Sequence, residues 1–235
     1  SMYLMAGRVR YSEVGLDGGL TLHHLINYFQ DCSTFHLEDI GLGLDYFQSQ
    51  NLAFFILSWQ IEINRLPKES EKIKVGTQIY ECKGCFGYRN YVLYDEADNV
   101  LAYANLGGVF MDTISESFAK LSTEEIAKYP IEEKFEMEYL PRKIKAPKAT
   151  DTFPKVTIRP CQIDTNGHVN NSHYVALALE CLPQELEIKR VRVEYKKAAK
   201  CGDIMIPASV SLDGIYYVSL NDEEGHPYAI LSFNE

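Results

Sequence analysis

Apolar residues recur at three- and four-residue steps between positions 20 and 39, where Leu22, Leu25, Ile26, Phe29, Cys32 and Phe35 fall on one stripe. That spacing predicts an amphipathic helix, ended by Gly41 and Gly43. From Phe54 the pattern changes to β-branched and aromatic runs, which predict strands over 54–65, 73–83, 88–94 and 100–110, with 95–99 as the turn between the last two. Residues 112–148 lose strand character, start a short helix after Ser122 with Glu125 in the capping-box position, and end among Pro141, Pro147 and a basic cluster. They read as a linker.

The rest of the chain repeats the order: a short strand over 156–159, a turn, a helix over 170–181, then strands over 187–196, 204–212, 216–220 and 228–233. An internal duplication is therefore expected. Asp17-Gly-Gly-Leu-Thr21 lies 147 positions before Asp164-Thr-Asn-Gly-His168, Gln60 to Arg65 lies 132 before Arg192 to Lys197, and Asp95-Glu96 lies 127 before Asp222-Glu223. The order holds while the offset shrinks. The expected architecture is α+β, two tandem halves, each an antiparallel β-sheet wrapped around one long helix.

Composition narrows the partners. The 235 residues are 46% hydrophobic and 24% charged, ordinary for a globular chain with a substantial core. Against 23 Lys and Arg stand 33 Asp and Glu, a net charge of −10, which disfavours nucleic acid and anionic membrane. Two basic clusters remain, Arg142, Lys143, Lys145 and Lys148, and a second from Lys189 to Lys200. Either is a solvated face or a dock for an acidic partner.

The longest wholly apolar run, at 53–57, is far short of a membrane span. Six scattered cysteines with no preceding signal peptide point to a reducing cytoplasm. Ser1 before Met2 looks like an expression scar. Cys82 and Cys85 form the only Cys-x-x-Cys, without the second ligand pair of a structural zinc site. No metal and no cofactor are expected.

The densest polar stretch is 161–174, holding Asp164, Asn166, His168, Val169, Asn170 and Asn171. Asp164, Asn166 and Gly167 are turn formers, and Asn170, Asn171 or Ser172 suits a helix cap. The first half, however, makes its turn with Asp17-Gly-Gly-Leu-Thr21, so folding alone does not call for Asn and His. A carboxylate, a carboxamide and an imidazole at alternate positions before a helix N-terminus suit acyl transfer to water. His168 serves as base, Asp164 orients the imidazole or binds water, and Asn166 positions the carbonyl or the water.

This stretch resembles the Asp-x-Asn-x-His-Val-Asn-Asn motif of the acyl-ACP thioesterases, a double hotdog family of plants and bacteria. Trp59 to Arg65 with Pro67, and Glu194-Tyr-Lys-Lys197, are similar to that family's two strand motifs. The resemblance implies a tandem double hotdog, with residues 1–145 as the N-terminal hotdog plus linker holding the acyl pocket, and 146–235 as the catalytic hotdog. It implies hydrolysis of fatty acyl-ACP, catalysed by Asp164, Asn166 and His168 and supported by Val169, Asn170, Glu180 and Glu194. Phe54, Phe55 and Trp59 would line the acyl pocket, where core packing explains them equally well. Arg142, Lys143, Lys145 and Lys148 would dock the acidic carrier protein, in a monomer or a homodimer.

One departure stands out. Plant members carry Glu-Cys where this chain has Ala198-Ala199, which removes a thiol nucleophile from that position, and Cys201 lies two residues on. Rival readings are a hotdog acyl-CoA thioesterase, a dehydratase of the same fold class, and a non-catalytic acyl-thioester-binding protein.

Overall fold

The computed structural model describes residues 1–235, which divide into two compact units: Ser1–Leu57 with Ile63–Leu140, and Ser58–Glu62 with Pro141–Glu235. No helix is long and apolar enough to cross a membrane.

The first unit is built on β1 (Tyr3–Arg8), α1 (Leu22–Asp39), α2 (Leu44–Ser49), β2 (Leu52–Ile63), β3 (Lys72–Lys83), β4 (Phe86–Asp95), β5 (Val100–Asp112), β6 (Ser117–Phe118) and α3 (Thr123–Ile126). β1 pairs with β3, β3 with β4 and β4 with β5, all antiparallel, and β6 closes a small hairpin on β5. α1 buries Leu22, Leu25, Ile26, Tyr28, Phe29, Cys32 and His36 and packs across β3, which presents Ile73, Val75, Thr77 and Ile79 at alternate buried positions. Gly41, at φ +78, takes the left-handed conformation that ends the helix region, as the sequence leads one to expect.

Segment 131–139 differs from the expected free linker. Gln78 Nε2 donates to the Glu133 carbonyl at 2.7 Å, the buried Asn90 Oδ1 accepts Phe135 N–H at 2.8 Å, and Asn90 Nδ2 donates to Tyr139 Oη at 3.0 Å. Phe135 and Tyr139 lie tilted beside Tyr103 and Tyr80, with ring centroids 5.5 and 5.9 Å apart. Polar side chains on the sheet thus capture a segment whose own sequence shows no strand period.

The second unit contains β7 (Asp151–Thr152), β8 (Val156–Thr157), α4 (Asn171–Leu179), β9 (Arg190–Tyr195), β10 (Ile204–Leu212), β11 (Ile215–Asn221) and β12 (Pro227–Asn234). β9, β12, β11 and β10 follow one another as antiparallel neighbours, with β7 and β8 on β10, and Ser58–Glu62 of β2 pairs along β9. α4 packs Tyr174, Val175, Leu177 and Ala178 inward and touches β11 and β12. It fills most of the expected 170–181, capped by Asn170 at its start and by Glu180 at its end, shortly before Pro183. Each unit is α+β, an antiparallel sheet carrying one principal helix.

Candidate active site

The residues before α4 form a tight turn with a fixed hydrogen-bond skeleton. Asp164 N–H donates to the His168 carbonyl at 2.7 Å, and Gly167 N–H to the Asp164 carbonyl at 3.1 Å. Asp164 Oδ1 accepts the N–H groups of Asn166 at 2.8 Å and His168 at 3.2 Å. Gly167 sits at φ +77, the conformation its missing Cβ permits. Asp164 and His168 are half-buried and Asn166 is exposed. The carboxylate therefore holds the backbone from which Asn166 and His168 project.

Two hairpin turns elsewhere use the same clamp, and the second also places a glycine and a histidine, Gly225 and His226, at the steps of Gly167 and His168. Asp95 Oδ1 accepts from Ala97 and Asn99 at 2.9 and 2.8 Å, and Asp222 Oδ1 from Glu224 and His226 at 3.0 and 2.8 Å. In each, the aspartate N–H donates to the carbonyl four residues on. The Asp164 clamp is thus a turn device first.

The skeleton also corrects the alignment of the two halves. Gly15 N–H donates to Gly19 O and Gly18 N–H to Gly15 O, while Thr21 N–H meets Glu13 O as Asn170 N–H meets Gln162 O. The bridges Val14 to Leu20 and Ile163 to Val169 coincide in the same way. The offset is therefore 149 positions, two more than the sequence match of Asp17 to Asp164 implies. Gly15, Asp17 and Gly19 stand where the second half has Asp164, Asn166 and His168. The first turn fixes itself differently, through Asp17 Oδ1 on Gly19 N–H at 2.8 Å. Matching aspartate to aspartate misled, because either position can clamp a turn.

At the helix start, Asn170 Oδ1 accepts from Ser172 N–H and Ser172 Oγ, both at 3.1 Å, and the Asn170 carbonyl accepts His173 N–H at 2.9 Å. Asn170 is thus the cap, and it occupies N–H groups that an oxyanion would otherwise use. The buried Val169 N–H donates to the Ala199 carbonyl at 2.9 Å, and Ala199 N–H donates to Tyr174 Oη at 3.0 Å. Burial pushes the Tyr174 phenol up to about 12, so it stays protonated. Ala199 thereby ties the turn to α4 through its backbone, beside the exposed Ala198.

The other expected residues are dispersed. Glu180 is exposed at the far end of α4, about 13 Å along a helix of this length. Glu194 is buried on β9, where Oε1 accepts Ile144 N–H at 3.0 Å and Oε2 pairs with Lys196 at 3.1 Å. Phe54 and Phe55 belong to the first unit, half-buried, with Phe54 against Phe110 in a cluster that includes Ile79, Leu121 and Tyr129. Trp59 is buried in the second unit, opposite Val193 on β9. Arg142, Lys143, Lys145 and Lys148 are all exposed and form no ion pair. Their segment is held by Arg192, which donates to the Pro141 carbonyl at 2.5 Å, and by the Glu194 bond to buried Ile144.

Sequence reasoning missed Tyr174 and the backbone of Ala199, which bond one another only once the chain is folded. Cys201 is exposed in the turn after Ala199. Asp222, Glu224 and His226 bring three donor atoms together, but Asp222 is already ion-paired with Lys197 and clamps its own turn.

The family model described as the acyl-ACP thioesterase N-terminal domain matches residues 2–129, and that of the C-terminal domain matches 145–219. The oleoyl-acyl carrier protein thioesterase 2 of Arabidopsis thaliana is 26% identical, over 84% of this chain and 59% of its own. An acyl-[acyl-carrier-protein] hydrolase of Cuphea viscosissima is 25% identical, over 84% of this chain and 52% of its own. The chain thus spans a little over half the length of such relatives. An acyl-ACP thioesterase from Bacteroides thetaiotaomicron superposes with a TM-score of 0.88 at 22% identity, covering 99% of this chain and 97% of its own. The 12:0-ACP thioesterase from Umbellularia californica gives 0.85 at 19%, covering 99% and 96%, so the hotdog fold is shared.

Proposed function

As the chain belongs to the acyl-ACP thioesterase family, we propose that it hydrolyses fatty acyl-[acyl carrier protein] thioesters to free fatty acid and holo carrier protein. The observation that carries this reading is the clamped turn of the second unit, which delivers Asn166 and His168 where the first unit has Asp17 and Gly19.

His168 takes a proton from water as the water oxygen attacks the thioester carbonyl carbon. Collapse of the tetrahedral intermediate breaks the carbon–sulfur bond, and the departing pantetheine thiolate takes up the proton that His168 received. Asn166, exposed beside it, donates to the carbonyl oxygen or holds the water. Asp164 is a positioning residue, acting through the backbone of both. No step needs a metal or a cofactor. The partner is an acidic carrier protein, met by Arg142, Lys143, Lys145 and Lys148.

A second reading, an acyl-thioester-binding protein without turnover, draws on Ala198-Ala199, where the resemblance implies Glu-Cys. Thiol release from acyl-ACPs of several chain lengths, beside the matching acyl-CoAs, separates the readings. Release from acyl-ACP that falls roughly 10² to 10⁴-fold in His168→Ala supports hydrolysis by this site. Release that His168→Ala leaves unchanged removes it from the mechanism, and tight acyl binding without release favours the second reading.

A further inference from the structure

The backbone hydrogen bonds around the two turns repeat between the units. Val9 N–H donates to Glu71 O as Ile158 N–H does to Asp203 O, and Ser70 N–H meets Val9 O as Gly202 N–H meets Ile158 O. Leu20 N–H meets Pro67 O as Val169 N–H meets Ala199 O, both at 2.9 Å. Pro67 and Ala199 are therefore one position of the fold in its two copies. On the same spacings Leu25 of α1 corresponds to Tyr174 of α4, and Ile63 of β2 to Tyr195 of β9.

At these positions the copies part. Pro67 has no N–H to offer, and neither Leu25 nor Ile63 has a polar side-chain atom. In the second unit the buried Ala199 does have an N–H, and it donates to the hydroxyl of the buried Tyr174 at 3.0 Å. Tyr195 Oη donates to the Asn171 carbonyl at 3.0 Å, and the two phenol rings meet edge-on with centroids 5.3 Å apart. The first unit makes the same backbone link without either hydroxyl, so the fold does not require them. They occur in the copy that holds His168.

His168 is fixed through its main chain. Its N–H is held by Asp164 Oδ1 and its carbonyl by Asp164 N–H. The peptide that follows is held by Val169 N–H on the Ala199 carbonyl. Ala199 lies outside both β9 and β10, so that last anchor is only as steady as what bonds Ala199. We propose that Tyr174 is a positioning residue for His168: its hydroxyl fixes Ala199, and Ala199 fixes the peptide that sets the orientation of the imidazole. The inference rests on the thioesterase reading for the reaction that the imidazole serves.

Two variants remove the Ala199–Tyr174 bond from opposite ends. Tyr174→Phe deletes the acceptor, and Ala199→Pro deletes the donor, reproducing the residue that the first unit carries there. Each should lower kcat on one acyl-ACP roughly tenfold or more with KM nearly unchanged, the cost of a misplaced reacting group. The double variant should be no slower than either single one, since both remove the same bond. Imidazole NMR resonances give a readout independent of turnover. The His168 signal, identified by its loss in His168→Ala, should broaden or split in both variants. An unmoved signal in the folded variants overturns the role of Tyr174 whatever the rate does, and so do rate losses that add in the double variant. If the variants hydrolyse at the native rate with the native signal, that role fails and the thioesterase reading stands. If the native protein cleaves no thioester, that reading falls, while the His168 signal still decides whether Tyr174 positions the ring.

Discussion

Asp164 shares its hydrogen-bonding pattern with Asp95 and Asp222, so the turn calls for an acceptor oxygen at Oδ1 whatever chemistry follows it. Asp164→Asn keeps such an oxygen and should retain most of the native kcat. Asp164→Ala frees two backbone N–H groups, loosens Asn166 and His168, and should cost roughly tenfold or more. Equal losses in the two variants, read from kcat on one acyl-ACP, would instead assign catalytic work to the charge. That residues 164–168 form a turn was legible in the sequence, because Asp164, Asn166 and Gly167 are turn formers in one compact stretch. The clamp that Asp164 makes was not, since an aspartate in a turn reads alike whether it clamps or reacts. The same ambiguity displaced the alignment of the halves by two residues, and only the hydrogen bonds of Gly15, Gly19 and Thr21 restored it.

At the level of elements, α1 and the long strands follow from apolar periodicity, which survives because each packs one face inward. β1, α2, β6 and β7 escaped, being short or polar and shaped by what they lie against. Segment 131–139 is the clearest case, held by Asn90, whose side chain joins Phe135 and Tyr139. Asn90→Ala should leave buried polar groups unpaired and cost about 1–3 kcal/mol in urea unfolding. An unchanged midpoint would mean that the aromatic contacts alone hold the segment. Where α1 meets β4, Arg89 Nη1 lies 3.1 Å from His36 Nδ1, and the His36 ring stacks on Tyr3 at 5.0 Å. Burial, then the Arg89 charge, lower the His36 pKa from 6.5 to about 4, with Asp39 and Glu132 opposing. In that window the unfolded chain binds a proton that the folded chain does not, so stability falls as pH drops from 6.5 towards 4 and is fully present above it. His36→Gln, which keeps a polar partner for Arg89, should show a shallower fall in denaturation midpoint over that range. A slope equal to the native one would place the acid sensitivity elsewhere.

For the whole molecule, a net charge of −10 opposes an acidic carrier protein at long range, so docking needs a local surface of the other sign. The sequence shows two basic clusters of similar density, and the fold distinguishes them. In the second, Lys189 pairs with Glu187, Arg190 with Glu62, Lys196 with Glu194 and Lys197 with Asp222, so four of its six basic residues are compensated. Arg142, Lys143, Lys145 and Lys148 have no such partners. They ride on a backbone held by Arg192 and Glu194, so their positive field is both unspent and fixed in place. Lys143→Glu with Lys145→Glu should therefore weaken acyl carrier protein binding by roughly tenfold at low ionic strength. The loss should shrink as salt shortens the screening length from about 10 Å at 0.1 M towards about 3 Å at 1 M. Hydrolysis of a small thioester that lacks the carrier protein should be unaffected, because neither lysine belongs to the turn that carries His168. Calorimetric titration at both salts reads the difference. A loss independent of salt would point to altered packing around Ile144, whereas no loss at either salt would show that unpaired charge alone does not mark the dock.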